Sequence, residues 1–409
     1  MGAEMSTRRH NRFAATTTLL RRYLEARPRK EGQNMSDRQV LAQRVARVRE
    51  LMQRRGYDAV ILRNNPDLRW LTGAERTFDF ENAHTAFVTP EGLWLHTDSR
   101  YFGTFQARLG ADTPWKLDEQ LIDGPAWAAE RVAETGARVV AVEDTVDLAF
   151  FDAFKQACAK ASVACLTPRL HGDIASRLRA SKDEQELELM REAQRITDAA
   201  FRHIVSFMRA GQTELRVRVE LEDYMLTHGA EELSFGTIIA AGPNGANPHA
   251  QPSEYVLKEG DMVVMDYGAC YHDYHADMTR TVCVGEPSEE QRQVYGVVRK
   301  TNETCAAAIH TGVSCRKIHE LAVKTISDAG YGDYFKHGLG HGVGVEIHEQ
   351  PRFSRTSEDV LMAGAVITDE PGIYLPGKFG VRIEDCGVVD ERGYHPFSEI
   401  GHDLVCVGR

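Results

Sequence analysis

The chain has no uninterrupted run of eighteen apolar residues, so nothing in it reads as a membrane-spanning helix. It also lacks any CxxC pair. Its eight cysteines (Cys158, Cys165, Cys270, Cys283, Cys305, Cys315, Cys386 and Cys406) are scattered. That spacing excludes zinc-ribbon chemistry, in which two thiolates share one turn. No secretory apolar segment precedes them, so they read as reduced thiols of a cytoplasmic protein. Positive charge is short as well: 49 Lys+Arg against 60 Asp+Glu give a formal net charge of −11. Such a chain is a poor non-specific binder of nucleic acid or anionic lipid, so neither partner is expected. An acidic chain can instead hold cations in a cluster of carboxylates. Apolar residues are not lacking. With 42% hydrophobic and 27% charged residues, wholesale disorder is excluded. The 409 residues suggest two or three domains at roughly 150 residues each.

Residues 1–35 stand apart. They carry eight basic residues (Arg8, Arg9, Arg12, Arg21, Arg22, Arg27, Arg29 and Lys30) against three acids, Glu4, Glu25 and Glu31. An Arg-rich, acid-poor start can mark a transit peptide, but no long apolar face supports a targeting helix. A disordered basic extension, or a natural start at Met35, is the expectation. Ser36 then reads as the cap of a helix in which Val40, Leu41, Val45, Val48, Leu51 and Met52 recur at helical spacing, with Gly56 as its stop. Ala59–Leu62 reads as a buried strand. Residues 86–88 and 93–95 flank Pro90-Glu91-Gly92 as a hairpin. Helices near 100–109, 125–136 and 148–162 and a strand at 138–142 complete an α/β domain over 36–170. A second domain is expected over 175–409. It opens with a capping box at Ser181-Lys182-Asp183-Glu184 before a long helix. Gly211 ends that helix, and Thr213 caps the next one, which Gly229 closes. Helices near 288–310 and 314–329 and strands near 261–270, 276–284, 363–370 and 380–390 follow. Runs of helices and runs of strands make this domain α+β. No short-period repeat is visible.

The chemistry concentrates in a few stretches. Asp266 ends the apolar run Met262-Val-Val-Met265, and Asp277 stands 277 − 266 = 11 residues on, before another apolar strand. A hairpin can bring the two carboxylates together, and close like charges need a proton or a metal. Two plain turn aspartates are the alternative reading. In His337-Gly-Leu-Gly-His341-Gly-Val-Gly-Val-Glu-Ile-His348, glycines let backbone approach a ligand. Three histidines there can supply one ligand and two acid/base groups. Glu370 lies in Thr368-Asp369-Glu370-Pro371-Gly372, a strand running into a turn, and Tyr374 reads as a packed strand-end aromatic. In Val381-Arg382-Ile383-Glu384-Asp385, strand alternation puts Arg382 and Glu384 on one face. Asp266, Asp277, His341, Glu370 and Glu384 together form an oxygen-rich set with one imidazole and no thiolate. That set suits two hard or borderline divalent ions better than one.

This order of motifs resembles the pita-bread metallopeptidases, which include methionine aminopeptidase, aminopeptidase P and prolidase. Their pattern is Asp, Asp eleven later, His, Glu, and Glu about fourteen later. Here 277 − 266 = 11 and 384 − 370 = 14, and all five positions are filled. The resemblance covers about 175–409, with 36–170 similar to the smaller N-terminal domain of prolidases and creatinases. It implies that Asp266 and Asp277 chelate one ion, that Asp277 and Glu384 bridge to a second, and that His341 completes the second. Glu370 would be both ligand and general base toward a bridging hydroxide. His348 falls at the family's position for a proton donor or oxyanion stabiliser, and His249 at that of a histidine near the scissile peptide. His348-Glu349-Gln350-Pro351-Arg352 resembles the microbial prolidase form, in which the arginine binds the C-terminal carboxylate of a dipeptide; a guanidinium suits that planar group. His337 would line the proline pocket, and Phe235 falls where family members place an aromatic near the substrate. Arg382 would steady Glu384 or the substrate, or form only a structural ion pair. Asp369 replaces an apolar residue and should point away from the metals, while Gly236 after Phe235 leaves substrate range open.

The resemblance thus implies hydrolysis of Xaa-Pro dipeptides by two divalent ions, with Mn(II) expected and Co(II) or Zn(II) compatible, in a homodimer. An aminopeptidase P on longer peptides is the nearest alternative; Arg352 argues against it, because a carboxylate anchor penalises extended substrates. A C–N hydrolase of a small metabolite such as ectoine stays open. A creatinase or a non-catalytic relative would have lost ligands that are intact here.

Overall fold

A four-residue strand with no polar residue, Ala59–Leu62, organises the first domain. It is apolar throughout because both faces of its sheet are covered. Val60 and Leu62 enter a core with Val45, Val48, Leu51 and Met52 of the helix Asp37–Arg55. Ala59 and Ile61 turn the other way, onto Trp127, Phe150 and Phe154. The five strands run in the order Lys116–Asp118, Leu93–His96, Thr85–Val88, Ala59–Leu62, Val140–Val142. The expected hairpin forms, with Val88 opposite Leu93. These elements belong to a computed structural model that describes residues 37–79, 81–118, 123–170 and 177–408. The Ser36 cap and the basic extension lie outside the described residues.

The long helix Glu184–Phe207 starts two residues later than the sequence suggested. Asp183 is its cap, and Asp183 and Glu186 form the reciprocal capping box. Ser181 instead pairs with Ala365 and donates its hydroxyl to the Ala363 carbonyl. Thr213 caps the helix Glu214–Thr227 through the Arg216 amide, as read.

The second domain is α+β and repeats one arrangement. The pair Glu184–Phe207 and Glu214–Thr227 packs on the sheet Cys406–Val407, Met278–Val284, Met262–Tyr267, Ile238–Ala241. A second pair, Glu289–Ala308 and Cys315–Asp328, packs on the sheet Glu349–Phe353, Gly340–Gly342, Val366–Asp369, Asp385–Asp390, Gly393–Pro396. Matching backbone bonds recur within each set. The Gly211 amide donates to the Leu257 carbonyl, and the Gly312 amide to that of Leu361. Bridges Thr213–Val256 and Ser314–Val360 correspond, as do the bonds from Gly260 to Val284 and from Gly364 to Val389. The sequence hides this duplication because it is one of backbone pairing, not of side-chain identity.

Alternation decides what faces inward. Val263, Met265 and Tyr267 pack on the first helix pair, so Asp266 turns to the opposite face. Ile367 packs in the second core, and Thr368 turns inward. Asp266 and Thr368 therefore both face away from the helices on which their own sheets pack.

The first domain grips the second through charges. Arg44 bonds Asp183 at 2.7 Å. Arg69 donates to Asp273 at 2.5 Å and to the His272 carbonyl at 3.0 Å, and Glu75 bonds His272 at 2.8 Å. His272 and Asp273, both at positive φ, form the tip of the hairpin that separates Asp266 from Asp277.

Candidate active site

Asp266 and Asp277 lie where the hairpin reading put them. Asp266 is paired with Thr279 across the two strands, and Asp277 precedes the paired end Met278–Tyr267. Arg280 ties this strand to the far half by donating to Asp385 at 2.7 Å and to the Glu384 carbonyl at 2.5 Å. The strand expected through 380–390 is broken there. Phe379–Arg382 belongs to a two-stranded sheet, Asp385–Asp390 to the five-stranded one, and Ile383-Glu384 forms the corner. Glu384 and Arg382 still meet the same cluster, through Thr279 rather than through strand alternation. Thr279 Oγ1 donates to Glu384 at 2.7 Å and accepts from Arg382 Nε at 3.0 Å.

Asp277, His341 and Glu384 each present a ligand atom, all within 4.8 Å of one another. His341 Nε2 stands 3.5 Å from Asp277 and 3.6 Å from Glu370. Its Nδ1–H donates to the Gly342 carbonyl at 3.0 Å, which leaves the Nε2 lone pair aimed at the carboxylates. Burial drives the His341 pKa down to about 3, so this imidazole is neutral. Burial, with the charge of the neighbouring carboxylates added, pushes Asp277 and Glu384 well above the carboxylate range. The same burial lifts Glu370 to about 8. Asp266 keeps one buried carboxylate oxygen, Oδ1, with no hydrogen-bond partner. Four carboxylates, one neutral imidazole and a single guanidinium in a buried space form a donor set short of cations. A divalent cation fits it.

Arg382 is buried and already engaged. It donates to Asp266 Oδ2 from Nη2, to Tyr374 Oη at 2.9 Å and to the Pro248 carbonyl at 3.2 Å. Its direct ion pair is with Asp266, and it reaches Glu384 only through Thr279. Tyr374 is more than a packed aromatic, because its hydroxyl donates to His337 Nε2 at 3.0 Å. His337 is thereby joined to the cluster through Tyr374 and Arg382, and its burial lowers its pKa to about 4. Thr279 and Tyr374 are the functional candidates that sequence reasoning missed. Thr279 carried a signal, since alternation puts it on the face of Asp277. Tyr374 carried none.

His348 packs edge-on against His341, ring centroids 4.4 Å apart, and burial lowers its pKa. Arg352 is the direct strand partner of His341. Partners in an antiparallel pair project to the same face, so the exposed guanidinium leaves on the side of His341. His249 is exposed, one residue from the carbonyl that Arg382 holds. Phe235 is half-buried on the turn leading to Ile238–Ala241, and no hydrogen bond or ring contact among the described residues ties it to the cluster. Asp369 is fully buried away from the site, on the Cys305 side of its strand, while Thr368 faces Glu370 at 3.4 Å.

Residues 188–391 match metallopeptidase family M24, and residues 44–180 match the creatinase/prolidase N-terminal domain. A Xaa-Pro dipeptidase of Pyrococcus horikoshii is 30% identical over 368 residues, spanning 90% of this chain and 99% of that protein. The structure is similar to that of a Xaa-Pro dipeptidase from Bacillus anthracis, with a TM-score of 0.83 and 33% identity over 90% of this chain and 100% of that one. It is also similar to an X-Pro aminopeptidase from Thermotoga maritima, with a TM-score of 0.78 and 32% identity over 89% of this chain and 100% of that one. Likeness over the whole length of these relatives, in both domains, makes this chain a member of metallopeptidase family M24 with a creatinase/prolidase N-terminal domain.

Proposed function

We propose that this metallopeptidase hydrolyses Xaa-Pro dipeptides and releases C-terminal proline. One observation carries the choice of substrate: Arg352 is the strand partner of His341, so a carboxylate anchor stands beside the proposed metal ligand. A bidentate guanidinium at that place favours a substrate whose carboxylate lies one residue from the scissile bond. The dipeptidase relatives support the same reading.

The proposed ligands are Asp266, Asp277, His341, Glu370 and Glu384, holding two divalent ions. Mn(II) is the proposed metal, with Co(II) and Zn(II) suited to the same donors. When bound, such a pair supplies Lewis-acid chemistry and lowers the pKa of water. Each remaining part belongs to the chain. Glu370, whose carboxylate bound cations would keep ionised against its burial, takes the proton of the attacking water and passes it toward the departing proline nitrogen. His348 stabilises the oxyanion of the tetrahedral intermediate from its ring N–H. Arg352 binds the substrate carboxylate, His249 orients the scissile peptide, His337 walls the proline ring, and Phe235 lies near the substrate. Arg382 acts as a positioning residue: it holds Asp266 directly and Glu384 through Thr279. We further propose the domain division 36–170 and 175–409, a homodimer, and a cytoplasmic location consistent with eight free cysteines. Sedimentation of the purified protein tests the dimer.

The deciding assay compares Ala-Pro with Ala-Pro-Ala on metal-replete protein. Cleavage of the dipeptide alone, lost on chelation and regained with Mn(II), is expected. Equal or faster cleavage of the tripeptide would make the protein an aminopeptidase instead, and no cleavage of either would sink the proline reading.

A further inference from the structure

Glu349 follows His348 as the first residue of the strand Glu349–Phe353 that carries Arg352, yet it has no part in the chemistry above. Its side chain is completely buried. Oε1 accepts from Arg179 Nη1 at 2.8 Å and from the Glu346 amide at 3.2 Å, and Oε2 accepts from Lys182 at 2.9 Å. The carboxylate also lies hard against Gly344, where an added Cβ would sit 2.7 and 2.8 Å from its two oxygens. Glu349 therefore organises the loop from Gly342 to His348, whose other contacts include the bond from the His275 amide to the Gly344 carbonyl at 3.0 Å. Arg179 is itself 2% exposed and pairs with Asp67 at 2.8 Å and with Glu346. Asp67 stands fully buried on the helix Asn65–Thr72 of the first domain.

We propose that Arg179 and Lys182 are positioning residues that hold His348 and the strand Glu349–Phe353 behind it through Glu349, with Asp67 tying that hold to the N-terminal domain. Buried ion clusters add little net stability over a well-packed apolar core, because desolvation offsets their attraction. What they add is directed geometry, and here it falls on the residue between the oxyanion group and the carboxylate anchor. Both cations bond Glu349, so their effect on the chemistry passes through the placement of His348 and Arg352. The inference rests on the proposed roles of those two residues.

The test uses the full chain and the variants Glu349→Gln, Arg179→Met, Arg179→Lys and the double variant Arg179→Met/Glu349→Gln, which leaves no orphan charge between the two. Substrates are Ala-Pro and its C-terminal amide, which lacks the carboxylate that Arg352 would hold. The single neutralising variants are expected to lower kcat/KM for Ala-Pro by ~10–100-fold. They should also narrow the preference for Ala-Pro over the amide, with Arg179→Lys recovering most of it. A loss of general stability would lower both substrates alike. Deuterium exchange is read in parallel on peptides covering 340–353, with the helix Glu289–Ala308 as reference. Faster exchange in 340–353 alone is expected in Arg179→Met and in the double variant. Folded variants that keep the substrate preference, or that exchange as the unaltered chain does, would overturn the inference. Failure of the unaltered chain to cleave Ala-Pro would instead strike the functional reading, leaving exchange to judge the positioning.

Discussion

Glu384 accepts the Thr279 hydroxyl at 2.7 Å, and that one bond shows how the cluster is aimed. A carboxylate buried among like charges rotates unless a donor fixes it. Thr279→Val removes the donor while keeping the shape, and metal affinity should fall by ~10-fold, read as metal content after dialysis at graded free Mn(II). A content curve matching that of the unaltered protein would show that Thr279 does not orient Glu384. Arg352 is the other decisive side chain. Arg352→Ala should raise KM for Ala-Pro by ~10–100-fold, as loss of a charged hydrogen-bonded pair would, and change kcat little. An unchanged KM in steady-state assays would remove the carboxylate anchor. The ligand candidates were legible because the chemistry needs particular residue types in a particular order, which spacing records. Tyr374 was not, since its hydroxyl gains meaning only when the two-stranded sheet carries it between His337 and Arg382.

The hairpin between Asp266 and Asp277 depends on more than its own turn. Its tip is held by Arg69, Glu75 and the Arg76 amide from the first domain. The bond from Glu75 raises the pKa of His272 above its ordinary value, with Glu231 adding to it and Arg69 opposing, and lowers that of Glu75. The folded state therefore binds the imidazolium proton more tightly than the unfolded chain. This contribution is fully present below the unfolded histidine pKa of about 6.5 and is lost as pH rises through the higher folded value. His272→Gln should consequently cost Tm at pH 6 and little at pH 9, by thermal melts of both proteins across that range. A Tm difference that stays constant with pH would mean that the pair is not felt. The elements themselves were largely readable, including both helix pairs and the central hairpin. The misread cap at Ser181 has a simple cause: Asp183 and Ser181 are both good caps, and pairing with Ala365 takes Ser181 into a bridge.

At the scale of the whole molecule, a formal charge of −11 coexists with a buried group of four carboxylates. Removing bound ions from such a group restores the repulsion that they offset. Chelation should therefore lower Tm, and added Mn(II) should raise it progressively with concentration, since an ion that binds only the folded state stabilises it by mass action. Melts independent of metal concentration would contradict a resident metal pair. Sequence alone determined the five candidate ligands, the family resemblance, the α+β class and most helices. These depend on residue type and periodicity, which are local. Tertiary structure decided the rest. The corner at Ile383-Glu384, the relay Arg382–Thr279–Glu384, the duplication of the two helix-and-sheet halves and the hold of Arg179 on Glu349 join residues far apart in the chain. No spacing rule encodes such pairs, because burial and strand register arise only when the sheets pack.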